Sequence, residues 1–385
     1  GVVENSKYSP DNFFLGTDHL KALNEDIEYV IKAPGIWSLL PELNKFRERK
    51  GKDRVVSSLA PFIHKFREQI IAITGTKGKS STSSLLTHLI NSDQDIKAHY
   101  CGNTTGISPY KYWIDKNQEI NTNTFYIIET SSFQLQDLGY SKVSSKYGII
   151  TNYFLDHQDQ HTSKEEYYQA KDELFLNQET SDITIIDNTV VLKSDNLKGD
   201  LLENVKLINQ DFLNLVSKFK FLPGQHNTDN LTKALGIFSI IKSNSDYINI
   251  EFITKNFEKL QNVLDGFKGL EHRQQLIRTI KKDNSTINFI DDNYATQPDA
   301  VKAAANTFSR NENSKIWLII SGVDKGGNID ALAKTINTIY ELNKIYKLEL
   351  CGKVGQNLYK KITKLNPSLS SKQLGSQSNP DKNTN

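Results

Sequence analysis

The residues best suited to chemistry stand in one short run, Thr74-Gly75-Thr76-Lys77-Gly78-Lys79-Ser80-Ser81. It follows a β-rich apolar stretch at 70–74 and opens a helical pattern carrying Leu85, Leu86 and Leu89. Strand, glycine turn and helix in that order make a phosphate cradle. The glycines let backbone N–H groups close around phosphate oxygens, and the helix N-terminus adds favourable partial charge. Lys79 can reach the terminal phosphates and Ser80 can ligate Mg²⁺. Gly75, Thr76, Lys77, Gly78, Lys79, Ser80 and Ser81 are therefore the expected triphosphate contacts. The spacing is tighter than GxxxxGK[ST], because Ile73 occupies the first glycine position.

Three further side chains extend this chemistry. Glu129 ends the apolar run 125–129. Open α/β sheets bind ligands at the carboxyl ends of their strands, so Glu129 and Ser80 are candidate hard oxygen ligands for one Mg²⁺. His157 lies just beyond the run 148–152, at a second such edge. Lys171 falls on a helical pattern among Tyr167, Tyr168, Leu174 and Phe175; taken alone, it reads as a lysine whose stem packs while its ammonium reaches water.

These residues need a sheet to hold them. Apolar runs at 70–74, 125–129, 148–152, 183–187, 287–291, 316–321 and 346–351 alternate with helical periodicity at 81–90, 164–176, 228–241 and 298–308. That alternation predicts an α/β fold with doubly wound sheets. One boundary is expected near Arg67, where a charged segment gives way to the first strong strand, and another at 266–269, where two glycines precede Leu270-Glu271-His272-Arg273. The expected domains are 1–68, 69–266 and 267–367, followed by a tail at 368–385 too polar to fold. A chain of 385 residues is long enough for more than one core, since single cores seldom grow past about 250–300 residues.

Composition narrows the partners. With 47 basic and 45 acidic residues spread evenly, the net charge of +2 carries no footprint for nucleic acid or an anionic membrane. No apolar run reaches the roughly 18 residues of a membrane span and no signal-peptide pattern opens the chain, so a cytoplasmic protein without membrane insertion is expected. Cys101 and Cys351 lie far apart without metal-ligand spacing, as in a reducing compartment. The start at Gly1, the absence of methionine and the short first domain fit a fragment better than an intact reading frame.

The compact Gly-Thr-x-Gly-Lys-Ser loop resembles the ATP loop of the Mur ligases and their relatives, and further segments match in that family's order. Gly102-Asn103-Thr104-Thr105-Gly106 resembles the loop near metal and phosphates. Glu129-Thr130-Ser131-Ser132-Phe133-Gln134-Leu135 resembles a segment typical of the D-glutamate-adding branch. The similarity continues from Asn152 through Asp156-His157-Gln158-Asp159-Gln160-His161, Lys171 after Tyr168-Gln169-Ala170, and Gly224-Gln225-His226-Asn227-Thr228-Asp229-Asn230. It runs on through Gly269-Leu270-Glu271-His272-Arg273, Asp291-Asp292-Asn293-Tyr294-Ala295-Thr296-Gln297-Pro298 and Ser321-Gly322-Val323-Asp324-Lys325-Gly326, covering residues 25–360.

The resemblance implies a three-domain architecture: a partial N-terminal domain for a UDP-linked precursor, a central P-loop ATPase domain and a Rossmann-like C-terminal domain for the incoming amino acid. The implied reaction adds D-glutamate to UDP-N-acetylmuramoyl-L-alanine through an acyl phosphate, in peptidoglycan precursor synthesis, by a monomer using ATP and two Mg²⁺ ions. The chemistry is coherent, because a carboxylate needs a better leaving group than oxide before an amine can displace it. Phosphoryl transfer then calls for positioning and neutralisation of charge.

By the same resemblance Lys79, Glu129, His157 and Lys171 form the catalytic set, and Asn103 lies near the phosphates. His157 and Lys171 hold a second Mg²⁺, Lys171 as a carbamate formed with CO₂, since an ammonium beside Mg²⁺ is repelled. Asn227 and Asn230 fall near adenine, Arg273 at the phosphates and Asp292 at the ribose. Thr296 and Lys325 meet the amino acid's carboxylates, and Gly35 in Ala33-Pro34-Gly35-Ile36 lies beside the uridine.

Three features depart from the pattern. No glycine-rich strand-turn opens the chain, no Ser-Pro-x-x-x-Ser-x-Asp-x-Phe stretch follows Leu365, and Tyr294 stands where the branch has lysine. Another Mur-type ligase, a folylpolyglutamate synthase, or a nucleotide-binding remnant without ligase activity therefore remain open alternatives.

Overall fold

The structure, a computed structural model, describes residues 23, 27–33, 36, 40–102, 105–115, 121–154, 161, 163–198, 201–282, 285–295, 298–310, 313–322 and 328–367. Its strands are β1 (Val30–Lys32), β2 (Val55–Ser57), β3 (Ile70–Thr74), β4 (Lys97–Cys101), β5 (Thr124–Glu129), β6 (Tyr147–Ile150), β7 (Ile183–Ile186), β8 (Val205–Leu207), β9 (Gln275–Lys282), β10 (Ser285–Asp291), β11 (Ile316–Ser321) and β12 (Ile345–Cys351). The chain divides into two compact units, one of residues 1–221 and 226–267, the other of residues 222–225 and 268–385.

In the first unit β3 is buried at all five positions, as expected of a parallel strand covered on both faces. It sits inside a six-stranded parallel sheet ordered β4-β5-β3-β6-β7-β8. Alternation along the strands builds two cores. Ile71, Ile73, Ile127, Ile149 and Ile185 point to one face, where they meet Leu85, Leu86 and Leu89 of the helix Lys79–Asn91 and Leu231 and Leu235 of the helix Gln225–Ser243. Ile70, Ala72, Tyr126, Ile128, Ile150 and Ile186 point to the other, against Phe62, Phe66, Leu135, Leu174 and Phe175. Each such isoleucine stabilises the fold by about 1.5–3 kcal/mol, so the sheet edge is a stiff platform.

Local chemistry sets the helix starts at that edge. Ser131 opens the helix Ser132–Tyr140 with a reciprocal capping box: Gln134 N donates to Ser131 Oγ at 3.2 Å, and Ser131 N donates to Gln134 Oε1 at 2.9 Å. Ser163 caps the helix Lys164–Leu176 by accepting from Glu166 N at 3.1 Å.

The α/β class and parallel central sheet match the expectation, with local differences. The expected strand 148–152 ends at Ile150, because Thr151 and Asn152 turn their hydrogen bonds to the phosphate loop. The run 183–187 stops at Ile186, since Asp187 caps the next helix through Thr189 N and Val190 N. The short, partly polar strands β4 and β8 were not expected.

Residues before β3 form a small parallel pair, β1 with β2, over a cluster of Leu43, Phe46 and Val55. In the second unit β9 and β10 form an antiparallel hairpin, so the run 287–291 belongs to a two-stranded ribbon and not to a parallel sheet. β11 and β12 pair in parallel. Helices Pro298–Ser309, Ile329–Glu341 and Gly352–Leu365 pack with them around Leu332, Ile336, Leu348 and Leu358. Among the described residues, no helix is long and apolar enough to cross a membrane. The expected polar tail 368–385 lies outside the described residues.

Candidate active site

The phosphate loop leaves β3 at the carboxyl edge of the sheet and is laced to the end of β6. Thr76 N donates to Asn152 O at 3.0 Å and Lys77 N to Asn152 Oδ1 at 3.0 Å; Asn152 Nδ2 and Thr151 Oγ1 donate to Lys77 O at 2.9 and 2.6 Å. Gly75 and Gly78 have φ of +130° and +87°. A Cβ on Gly75 would fall 2.0 Å from Thr151 Oγ1, and one on Gly78 would fall 2.5 Å from Asn230 Oδ1. Both conformation and space therefore require glycine.

Lys79 curls back over the loop and donates to the carbonyls of Gly75 at 2.8 Å and Thr76 at 3.1 Å. Ser80, on the first turn of the helix, donates from Oγ to Glu129 Oε2 at 3.1 Å, and both residues are buried. Strand register explains the meeting: Glu129 at the end of β5 stands beside Ile73 near the end of β3. Tyr100 of β4 donates its hydroxyl to the other Glu129 oxygen. Sequence reasoning missed Tyr100, whose strand carried too weak an apolar pattern to be read.

Lys171 arrives from the helix Lys164–Leu176. It is only 2% exposed, lies 4.4 Å from the Tyr167 ring centroid and donates to Gly75 O at 3.4 Å. Its ammonium thus faces the same carbonyl oxygen as that of Lys79, and not solvent as residue type alone suggested. Tyr167 continues the chain of contacts, with its hydroxyl 3.1 Å from Thr76 Oγ1. His161 packs edge-on to Tyr167, stacks on Phe133 and bonds Ser132 Oγ at 2.9 Å through Nε2. Tyr167 and His161 were also missed as site residues, although both fall inside segments that the sequence singles out.

The next residue fixes the helix that carries Lys171. Buried Asp172 accepts from Tyr153 Oη at 2.6 Å, Ser194 Oγ at 2.7 Å and Asn196 Nδ2 at 2.8 Å. Burial raises its carboxyl above the usual range, against the pull of those three donors. Asn230, on the helix Gln225–Ser243, is buried against the loop and accepts from Thr82 Oγ1 at 3.2 Å. Asn227 lies one turn earlier and is half-buried. One turn after Asn230, buried Lys233 pairs with Asp187 at 2.7 Å just past the end of β7.

In the second unit Arg273 and Asp292 meet in one loop cluster. The Arg273 guanidinium lies 5.3 Å from the Tyr294 ring centroid, and Asp292 Oδ1 accepts from Gln274 N at 3.1 Å. His272 and Gln274 flank Arg273 at φ of 60° and 47°, and His272 Nδ1 lies 2.7 Å from Asp291 Oδ2. That contact holds the imidazole above its ordinary pKa. The unexpected Tyr294 thus serves as a platform for Arg273.

Of the residues expected from the sequence, Lys79, Ser80, Glu129, Lys171 and Asn230 converge on the loop Gly75-Thr76-Lys77-Gly78, whereas Arg273 and Asp292 come together in the second unit. Ser81 follows Ser80 on the first turn of the loop helix. Gly35, Asn103, His157, Thr296 and Lys325 lie outside the described residues.

Comparison with known proteins places the chain among ligases of one kind. The Mur ligase middle domain family matches residues 73–214. The UDP-N-acetylmuramoylalanine–D-glutamate ligase of Clostridioides difficile (strain 630) is 27% identical over 381 residues, covering 89% of this chain and 75% of that protein. The enzyme of the same name from Staphylococcus haemolyticus (strain JCSC1435) is 30% identical over 336 residues, covering 82% of this chain and 67% of that protein. The fold resembles the crystal structure of UDP-N-acetylmuramate-alanine ligase from Thermotoga maritima, with a TM-score of 0.53 and 20% identity, over 93% of this chain and 77% of that one.

Proposed function

Because the chain belongs to the Mur ligase family of ATP-dependent amide-bond-forming enzymes, we propose that it joins D-glutamate to UDP-N-acetylmuramoyl-L-alanine in cytoplasmic peptidoglycan precursor synthesis. The observation that carries this reading is the buried Ser80–Glu129 pair, 3.1 Å apart at the mouth of a phosphate loop roofed by Lys79. The names of the two relatives support the choice of substrates.

In the reaction, a carboxylate oxygen of the precursor attacks the γ-phosphorus of ATP, and ADP leaves with the electron pair of the broken P–O bond. The D-glutamate amine then attacks the acyl carbon, phosphate departs with the C–O pair, and the amine proton passes to solvent. Lys79 binds the transferring phosphoryl oxygens, and the rigid loop holds them in line. Ser80 and Glu129 fit Mg²⁺, since a hydroxyl and a carboxylate, both hard donors, converge there. The ion would neutralise charge on the phosphoryl oxygens. Asn227 and Asn230 serve the adenine end, Arg273 and Asp292 the phosphates and ribose, Thr296 and Lys325 the amino acid, and Gly35 the uridine.

Lys171 serves this site as a carbamate. Its neutral amine adds to CO₂, forming one N–C bond and releasing one proton, and so becomes a carboxylate that can hold a second Mg²⁺ together with His157. The amine is only 2% exposed and faces the phosphate loop, where the added carboxylate oxygens are needed. Two ammonium groups donating to the single Gly75 carbonyl would also repel each other, and the modification removes one of them.

The test is phosphate release with the precursor, comparing D-glutamate, L-glutamate and no amino acid. Release that depends on D-glutamate is expected from a monomeric enzyme. ATP binding without amino-acid-dependent release would refute the proposal.

A further inference from the structure

A buried ion cluster lies where the small β1–β2 pair meets the helix Ser132–Tyr140. Asp137 of that helix pairs with Lys32 Nζ at 2.8 Å and with Arg47 at 3.5 Å, and the three side chains are 2%, 1% and 6% exposed. Lys32 Nζ also donates to Ile36 O at 2.7 Å, while Ile36 N donates to Ala33 O at 3.1 Å. Arg47 lies 4.9 Å from the Tyr140 ring centroid on the same helix. One ammonium thus holds the carbonyl of Ile36 and grips the helix that begins three residues beyond Glu129. Burying three charges is costly, and an apolar trio could hold these elements together as well, so directional grip is what the ions add.

We propose that Lys32 is a positioning residue that sets the distance between the precursor's nucleotide end and its reacting carboxylate. The inference rests on the ligase reading, in which Gly35, the neighbour of Ile36, serves the uridine and Glu129 lies at the reacting end. A substrate held at two distant points reacts only when its carboxylate meets the phosphate in line, and a shift of about 1 Å can cost roughly a hundredfold in rate. Asp137 receives both cations, so it fixes where the ammonium of Lys32 sits.

The experiment measures KM and kcat for the UDP-linked precursor, ATP and the amino acid in the full chain carrying Lys32→Met or Lys32→Arg. Lys32→Met is expected to lower kcat/KM for the precursor about tenfold, the effect of about 1.4 kcal/mol, through a lower kcat and a raised precursor KM, with KM for ATP unchanged; Lys32→Arg should recover most of the loss. An unchanged kcat/KM for the precursor, or equal changes in KM for precursor and ATP, would overturn the proposal. If Lys32→Met does not fold, Lys32→Gln takes its place and is held to the same split. Should the wild-type chain fail to use the precursor at all, the ligase reading fails separately. Hydrogen exchange then decides: faster exchange in Lys32→Met confined to residues 33–36 and the helix Ser132–Tyr140 supports the grip, and unchanged or uniformly faster exchange rejects it.

Discussion

The phosphate-loop region of the first unit and the Arg273 region of the second are built on opposite plans. Around the loop the functional groups are buried and hold one another: Ser80 holds Glu129, Tyr167 holds Thr76, and Asp172 holds the helix of Lys171 through three donors. In the second unit the strands bearing the loops are largely exposed, with Leu276, Ile277, Ile287 and Phe289 about half in solvent. Arg273 there is held by a ring face and a tight turn. Phosphoryl transfer depends on groups fixed before the transition state, whereas the outer parts of a ligand, such as a ribose or an amino-acid carboxylate, can be gripped by groups that settle as it binds. The first region is therefore expected to show all-or-none losses on mutation, and the second graded, ligand-specific ones.

The sharpest way to break that contrast is Lys79→Ala. Losing this cation from a water-poor phosphate site is expected to lower turnover by roughly a thousandfold or more. The fold should remain, because Lys79 donates to loop carbonyls and lies outside both cores. Phosphate release and thermal melting measure the two effects, and release at the wild-type rate would remove Lys79 from the reaction.

Lys171→Ala should come close behind, and its loss should respond to added chemistry. If the working group is a carbamate, formate or acetate is expected to restore part of the activity by returning carboxylate oxygens to the cavity. Native mass spectrometry under CO₂ should show the added group, and acid should remove it. An active, Mg²⁺-bound enzyme with an unmodified Lys171 would defeat the carbamate.

How much of this could be read from the sequence follows the same division. β3, β5, β11 and the helix Lys164–Leu176 were legible because an unbroken apolar run marks each strand, buried in β3 and most of β5 though largely exposed in β11, and a helical period marks the helix. The Ser80–Glu129 pair was legible too, since strand ends and loop glycines carry local signatures. Tyr100, Tyr167 and His161 were not, because their roles come from contacts across 29, 91 and 29 residues respectively. The Lys32–Asp137 pair escaped for the same reason, as buried charges look like surface charges in a one-dimensional string. In the second unit the run of β10 was read as a strand of a doubly wound sheet and its partner β9 was not read, because a single apolar run does not reveal its partner's direction.

A smaller effect is expected at the amino-acid end. Lys325→Ala should raise KM for D-glutamate by about ten- to a hundredfold, as loss of one charge-assisted contact does, and leave KM for ATP nearly unchanged. Steady-state kinetics with each substrate varied in turn measures the split. Equal increases in both constants would mean that this region is as tightly coupled as the phosphate loop.

The smallest expected effect contrasts two carboxylates whose surroundings pull in opposite directions. Burial would raise Asp187, but Lys233 at 2.7 Å and the hydrogen bonds from Thr189 outweigh it, so Asp187 sits below the usual carboxylate range. Asp292 sits above that range: burial dominates, and the Gln274 N–H and the Arg273 charge offset it only in part. For Asp187 the native state binds its proton more weakly than the unfolded chain does. Its stabilising contribution is therefore present above the unfolded value of about 3.9 and is lost as pH falls through the depressed folded value. For Asp292 the native state binds the proton more tightly, so stability declines as pH rises from about 3.9 to the raised folded value. Asp187→Asn should accordingly cost stability at neutral pH and flatten the acid side of the profile. Asp292→Asn should instead fare better relative to wild type at neutral pH than in acid. Side-chain carboxyl NMR titration with denaturant melts across the acid range checks both signs, and two carboxylates titrating on the same side of the reference value would erase the distinction between the two regions.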